Sequence, residues 1–317
     1  MQRFSLSVAT LLAVSVIVFL MIEALPGNFA TAILGQSATP ETVAAFERSI
    51  GLDRPPVERY FVWLGNLLQG EFGNSLASAA ATVGHERTVI SLVGPRLKNT
   101  LFLAGLVAVV AVPISLVLGL LAALYRNGVF DRVVNLTTLT TISVPEFFVA
   151  YILMLFFAVR LPWFHSLSMV SEDTGFMERL ARCTLPALTL VLVIVAQMMR
   201  MTRAAVLNLL ASPYIETARL KGLPPSRVIW HHALPNAWAP IVTVIAFNLA
   251  YLVVGVVVVE VVFVYPGIGQ LMVDSVSARD IPVVQLCALV FALIYIGLNL
   301  IADVVAIITN PRLLRPR

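Results

Sequence analysis

The sequence predicts an all-α, polytopic membrane protein with six transmembrane helices. Three observations carry this. The 317 residues are 59% hydrophobic and only 12% charged, with a mean hydropathy of +0.93. A soluble domain needs more polar surface than that, so the apolar excess faces lipid. Six apolar runs approach or exceed the ~20 residues that cross a bilayer as a helix. Half of the basic residues stand beside those runs, a pattern that sets topology rather than one that binds nucleic acid.

The runs are Phe4–Leu25, Thr100–Tyr125, Val134–Val159, Leu185–Met199, Ile241–Val264 and Val283–Ile308. The first is too long for a signal-peptide core, and the small-residue triplet Ala30-Thr31-Ala32 lies beyond Pro26-Gly27, so an uncleaved anchor is expected. The fourth is short and is expected to borrow Thr184 and residues past Arg200. With the amino terminus inside, the inner segments hold Arg3, Arg126, Arg132, Arg200, Arg203, Arg219, Lys221, Arg227, Arg312, Arg315 and Arg317. The short outer loops hold Arg160, Arg179, Arg182 and Arg279, which places both termini and the segment 212–240 in the cytoplasm.

The outer loop from Pro26 to Asn99 carries helix signals. Thr39-Pro40-Glu41 supplies a capping hydroxyl, a first-turn proline and an acid at the positive dipole end. Gly51 closes that helix. Pro55-Pro56 opens another, with Tyr60, Phe61, Trp63, Leu64, Leu67 and Leu68 as its apolar side. Such a helix suits either the headgroup layer or an extracytoplasmic cap.

A polar, basic island interrupts the apolar chain from Ser212 to Pro240. Pro213 starts a short helix that runs through Lys221; Gly222 sits where a left-handed residue is wanted, and Pro224-Pro225 stop continuation. A second helix is expected from Pro225 or Ser226 to Leu234, ending before Pro235 and Asn236. Tyr214, Thr217, Ala218 and Lys221 share one face, where the small Thr217 and Ala218 would let a partner approach. A loop this stiff is built to be gripped.

Glu216-Thr217-Ala218, Gly222 and Leu234-Pro235 resemble the EAA loop of ABC-importer permeases, with Thr217 for the first alanine. His232, followed by Ala-Leu and Asn236-Ala237, resembles the dipeptide, oligopeptide and nickel branch. Leu25-Pro26-Gly27-Asn28, Gly51-Leu52-Asp53-Arg54-Pro55 and Gly70-Glu71-Phe72-Gly73-Asn74-Ser75 resemble its early signatures. Arg96-Leu97 with Thr100-Leu101, then Glu260, Phe263, Pro266-Gly267-Ile268-Gly269 and Arg279-Asp280, and finally Asp303 with Pro311-Arg312, resemble its later ones. Their order along the chain is what makes the set specific.

The resemblance implies the type I importer permease fold in a bacterial inner membrane. It divides the chain into an anchor plus outer loop (1–95), a permease core (96–308) containing the coupling loop 212–236, and a tail (309–317). It also implies a second homologous permease, two cytoplasmic ATP-binding subunits that hold ATP and Mg, and an extracytoplasmic solute-binding protein. This chain would then carry no cofactor or metal, catalyse nothing, and form half of a path for di- or oligopeptides. Tyr214, Glu216, Thr217, Ala218, Lys221 and Gly222 would receive the ATPase stroke. Nickel, glutathione, an opine or another peptide-like solute is the alternative cargo. A gradient-driven secondary transporter is the alternative of another class, which predicts inverted repeats that the chain does not display.

The residues agree with a non-enzymatic role. Lys98 and Lys221 complete no phosphate-binding loop, His85-Glu86 has no second histidine at zinc-site spacing, and no GxSxG elbow occurs. Cys183 and Cys287 read as buried small hydrophobes. Glu23, Glu146, Glu260 and Asp303 lie in or at the ends of spans, where a lone charge is costly. Glu146, Asn248 and Glu260 are candidates for a polar path, or for interhelical contacts. Ser143, Gln197 and Tyr251 could join them, and Gly119, Gly255 and Gly297 suit close helix contact.

Overall fold

The computed structural model describes residues 2–24, 29–35, 38–49, 51–81, 87–224 and 227–309. The Leu25–Asn28 motif, the expected helix start at Pro225 or Ser226, His85-Glu86 and the Pro311-Arg312 tail lie outside them. Helices α1 (Gln2–Glu23), α2 (Phe29–Leu34), α3 (Pro40–Ser49), α4 (Pro56–Gln69) and α5 (Leu76–Ala81) come first. Then follow α6 (Val89–Leu124), α7 (Val129–Ser143), α8 (Glu146–Met154), α9 (Phe176–Leu210) and α10 (Pro213–Leu220). The series ends with α11 (Leu234–Val262), α12 (Ile268–Ser277) and α13 (Ile281–Thr309). Turns of π-helix, Leu155–Arg160 and Val228–Ala233, follow α8 and precede α11.

Among the described residues, five helices are long and apolar enough to cross a membrane: Ser5–Glu23, Val89–Leu124, Phe176–Leu210, Pro235–Val262 and Ile281–Val305. The pair Val129–Ser143 and Glu146–Arg160 makes a sixth when counted together, but it is bent by 99°. The third span, where Pro145 signals a bend, is broken sharply enough to make two helices. The cause is local: a residue before proline is pushed out of the helical region, and Val144 is extended at φ −97°, ψ 128°. The fourth span, short by composition, is a 35-residue helix. Its polar ends lengthen it past its apolar centre.

The chain divides into two compact units. One comprises residues 1–100 and 266–293. Its core is Val89, Val93, Ile268, Val283, Leu286 and Cys287, with Phe72 and Leu97 packed alongside. Here α1 and α4 are locked by aromatic contacts of Phe19 with Tyr60 and Trp63. The Ser15 hydroxyl meets the Tyr60 phenol at 2.9 Å, and Arg59 pairs with Glu23 at 2.5 Å. The helix expected after Thr39 forms over Pro40–Ser49, and Gly51 closes it at φ +71° with Leu52 N–H donating to Glu47. Asp280 caps α5: Ser75 donates its hydroxyl to the carboxylate, and Leu76 N–H donates at 3.1 Å. The positive end of a helix stabilises an anion placed there. Thr100 Oγ1 accepts from Ile268 N–H at 2.8 Å, and Asn99 donates to the Pro266 carbonyl at 2.9 Å. The outer-loop and later signature patches thus meet in one body. It also holds a cavity of about 740 Å³ lined by Phe46, Arg54, Trp63, Phe72 and Gln285 among others.

The second unit comprises residues 101–265 and 294–317. Leu103, Val107, Leu190, Ile194, Met198, Leu252, Val256 and Phe263 form the centre of its core, to which α6, α9 and α11 contribute. Gly119 of α6 permits a close crossing, because a Cβ there would stand 2.8 Å from the Met199 carbonyl. Gly297, expected to do the same, has nothing within 4 Å of the corresponding point. Pro186 lies inside α9 and leaves the carbonyl of Arg182, four residues back, without its helical donor. Ser168 supplies one: its hydroxyl donates to that carbonyl at 2.7 Å, while its own N–H donates to Phe263 at 2.8 Å. A buried carbonyl left bare would cost about 1–3 kcal/mol.

Candidate functional site

The described residues of the segment 212–236 pack around a small core shared with the end of α9. Pro213 occupies the first turn of α10 and its ring presets the helical φ. Ile215 and Ala218 turn inward and pack with Val228, Ala233, Leu209, Leu210 and Leu223. Ala218 therefore offers no surface to a partner, contrary to expectation: the inner face of a two-turn helix is wide enough to take both. Tyr214 is 40% exposed; Glu216, Thr217 and Lys221 are exposed as well. Thr217 returns its hydroxyl to the Pro213 carbonyl at 2.9 Å. Leu220, not expected at all, is 82% exposed. The signal was available, since a leucine two residues after the buried Ala218 falls out of phase with the inner face.

Gly222 ends α10 in the left-handed region at φ +74°. Its N–H donates to the Arg219 carbonyl at 2.9 Å. The expected stop at Pro235 does not occur. The π turn Val228–Ala233 runs directly into α11, with Pro235 in the first turn of the longer helix. First-turn amides have no intrahelical partner to lose, so proline is tolerated there.

Asp131 joins α7 to α9. Arg203 donates Nε to Oδ1 at 2.7 Å and Nη2 to Oδ2 at 2.8 Å. Asn127 N–H and the Asn135 amide complete the set at 2.9 and 2.6 Å. Paired guanidinium–carboxylate bonds fix orientation as well as distance, so the two helices are held rigidly at Arg203, about two turns before α9 ends at Leu210.

The three path candidates do not share one environment. Asn248 is fully buried; its amide donates to Val244 at 2.8 Å and approaches Met201 Sδ at 3.5 Å. It reads as contact between α11 and α9. Glu260 is also fully buried, and its backbone carbonyl accepts from Tyr265 N–H at 2.8 Å. Glu146 is half-buried at the break in the third span. The Tyr251 hydroxyl donates to Glu146 Oε1 at 3.2 Å, and Gly255 lies against the same carboxylate. Ser143 spends its hydroxyl on the Leu139 carbonyl at 2.8 Å. No group of three or more histidine, cysteine, aspartate or glutamate side chains able to hold a metal occurs among the described residues.

The described residues thus show several spans and a stiff polar island, and no catalytic constellation occurs among them. Residues 115–315 match the family described as "Binding-protein-dependent transport system inner membrane component", and residues 1–104 match its amino-terminal companion. The chain belongs to that family. It is a multi-pass inner-membrane permease and not itself an enzyme; the ATPase of such a system is a separate subunit. Membership implies ATPase and binding-protein partners, and it removes the gradient-driven alternative.

Relatives match along the whole length. The "Probable peptide ABC transporter permease protein y4tP" of Sinorhizobium fredii is 33% identical over 313 residues, covering 99% of this chain and 98% of that protein. The "Glutathione transport system permease protein GsiC" of Salmonella choleraesuis is 36% identical over 304 residues, covering 96% and 94%. In fold, a chain of the inward-facing MetNI methionine ABC transporter matches with a TM-score of 0.52 at 19% identity. That match covers 68% of this chain and 97% of that one.

Proposed function

We propose that this permease forms half of the translocation path of an ATP-driven importer for short peptides or a peptide-like solute such as glutathione. The other half is a second, homologous permease. Two cytoplasmic ATP-binding subunits drive the pair, and an extracytoplasmic solute-binding protein delivers the cargo. The cargo class is supported by relatives named for peptides and glutathione at 33–36% identity over nearly full length.

The observation that carries the mechanism is the exposed face of α10. Its inner side is committed to that small core, so the helix keeps its shape when pushed. Its outer side presents Leu220 and Tyr214 with Thr217, Lys221 and Glu216. One large apolar side chain ringed by polar groups is the pattern of an interface anchor. Lys/Arg placement puts this face in the cytoplasm, where an ATPase cleft would receive it. Force applied there passes into α9, which the Asp131–Arg203 pair couples to α7.

The test is ATP hydrolysis by the co-purified complex in lipid nanodiscs, with and without binding protein loaded from a mixed short-peptide pool. Stimulation by loaded binding protein is expected, and mass spectrometry of the retained ligand names the cargo. A permease that brings down no ATPase under any condition overturns the reading.

A further inference from the structure

We infer that Glu146, Tyr251 and Gly255 form a cation site that receives the primary ammonium group at the cargo's amino terminus during passage; the inference rests on the importer reading above. A carboxylate inside a span is costly unless it is paired or used. Asp131 is paired with Arg203 and Glu23 with Arg59. Glu146 instead has the Tyr251 phenol as its hydrogen-bond partner, and no cation among the described residues forms an ion pair with it.

Its place in the fold suits a transient guest. Glu146 stands where the third span breaks by 99°, midway between Val129 and Arg160, and Tyr251 lies near the middle of the Pro235–Val262 span. Both residues therefore sit far from either end of their spans. Tyr251 anchors Oε1 from one side at 3.2 Å. One helical turn further along α11, Gly255 faces Oε2, and a Cβ there would stand 3.3 Å from that oxygen. Oε2 accordingly faces a helix surface without a side chain. An ammonium carries three N–H donors, and Oε2 together with the phenol oxygen supplies two acceptors. Both Glu146 and Tyr251 keep surface open, whereas Glu260 and Asn248 are closed off. A partner of one net charge, held by few bonds and a single acid, can be released again, as transport requires.

The experiment is import into proteoliposomes holding the full complex, with saturating binding protein and a pool of short peptides in free-amine and N-acetylated forms. Imported peptides are read by mass spectrometry. Glu146→Gln is expected to lower free-amine import about tenfold, the loss of one charge-assisted hydrogen bond, with import of acetylated peptides and stimulated ATP hydrolysis retained. Glu146→Asp, which keeps the charge, is expected to restore much of the loss. Gly255→Ala, which presses a methyl toward Oε2, is expected to lower free-amine import selectively. Unchanged free-amine import in Glu146→Gln overturns the site while leaving the importer reading standing. So does loss of the second permease from the purified Glu146→Gln complex, which would assign the carboxylate to a protein cation. Absence of ATP-dependent import of any peptide by the unaltered complex removes the importer reading itself.

Discussion

Replacing Gly222 tests the coupling role proposed for α10 in two graded steps. The residue holds φ +74°, and a Cβ built on it meets nothing within 4 Å. Alanine is therefore opposed by backbone conformation alone, at about 1–2 kcal/mol. That shifts the population holding the α10 stop by roughly 5- to 30-fold. Proline fixes φ near −65°, about 140° away, and removes the N–H that Arg219 accepts. The turn cannot then form as it stands, and α10 loses its fixed angle to Val228–Ala233. Since Ile215 and Ala218 pack within that small core, the disturbance stays local and the spans still insert. Gly222→Ala should retain partial uptake. Gly222→Pro should insert and fold but uncouple, so that ATP hydrolysis no longer responds to loaded binding protein. The assay pairs membrane yield and monodispersity with ATP hydrolysis and uptake in proteoliposomes. Normal coupled uptake by Gly222→Pro would refute force transmission through α10.

Leu220→Asp should leave the permease inserted yet abolish co-purification of the ATPase, because a charge replaces the exposed apolar anchor; full recovery of ATPase on pull-down would count against that anchor. Ser168→Ala should lower stability by about 1–3 kcal/mol by leaving the Arg182 carbonyl without a donor, read as thermal unfolding of the detergent-solubilised protein, whereas Ser166→Ala should not. Asp131→Ala should cost roughly 3 kcal/mol, the low end for a broken buried pair, because Arg203 keeps some access to water. Combining it with Arg203→Met should recover part of that loss on the same unfolding measurement.

Much of this was legible in residue types. The Thr39-Pro40-Glu41 start and the Gly51 stop each report a backbone requirement that few residues meet, and both elements form. Gly222 was legible for the same reason. In the third span Pro145 marks the place of the bend, but composition does not say how sharp it is, nor whether a proline kinks a helix or ends it. Pro235 failed the other way, since a proline that looks like a stop is equally at home in a first turn. Ala218 was placed on the wrong side because a helix of two turns has an inner face broad enough to claim neighbouring positions. The partnership of Ser168 with Pro186 could not be read at all: it joins a loop hydroxyl to a carbonyl fourteen residues away, and nothing in either residue names the other.

The carboxylate of Asp280 completes the start of α5 across 204 residues of sequence, and this sets a timetable for biogenesis. The first hundred residues of that compact body leave the ribosome well before residues 266–293, which supply the rest of it. At about 5–20 residues per second, the intervening 101–265 take roughly ten to thirty seconds to synthesise. Through that interval the nascent outer segment stands across the membrane with its helix end uncapped and half its core unmade. The fifth span must be threaded before it can close, so that body of the permease is finished only late in synthesis, when its outer half is joined by chain that has crossed the bilayer four more times.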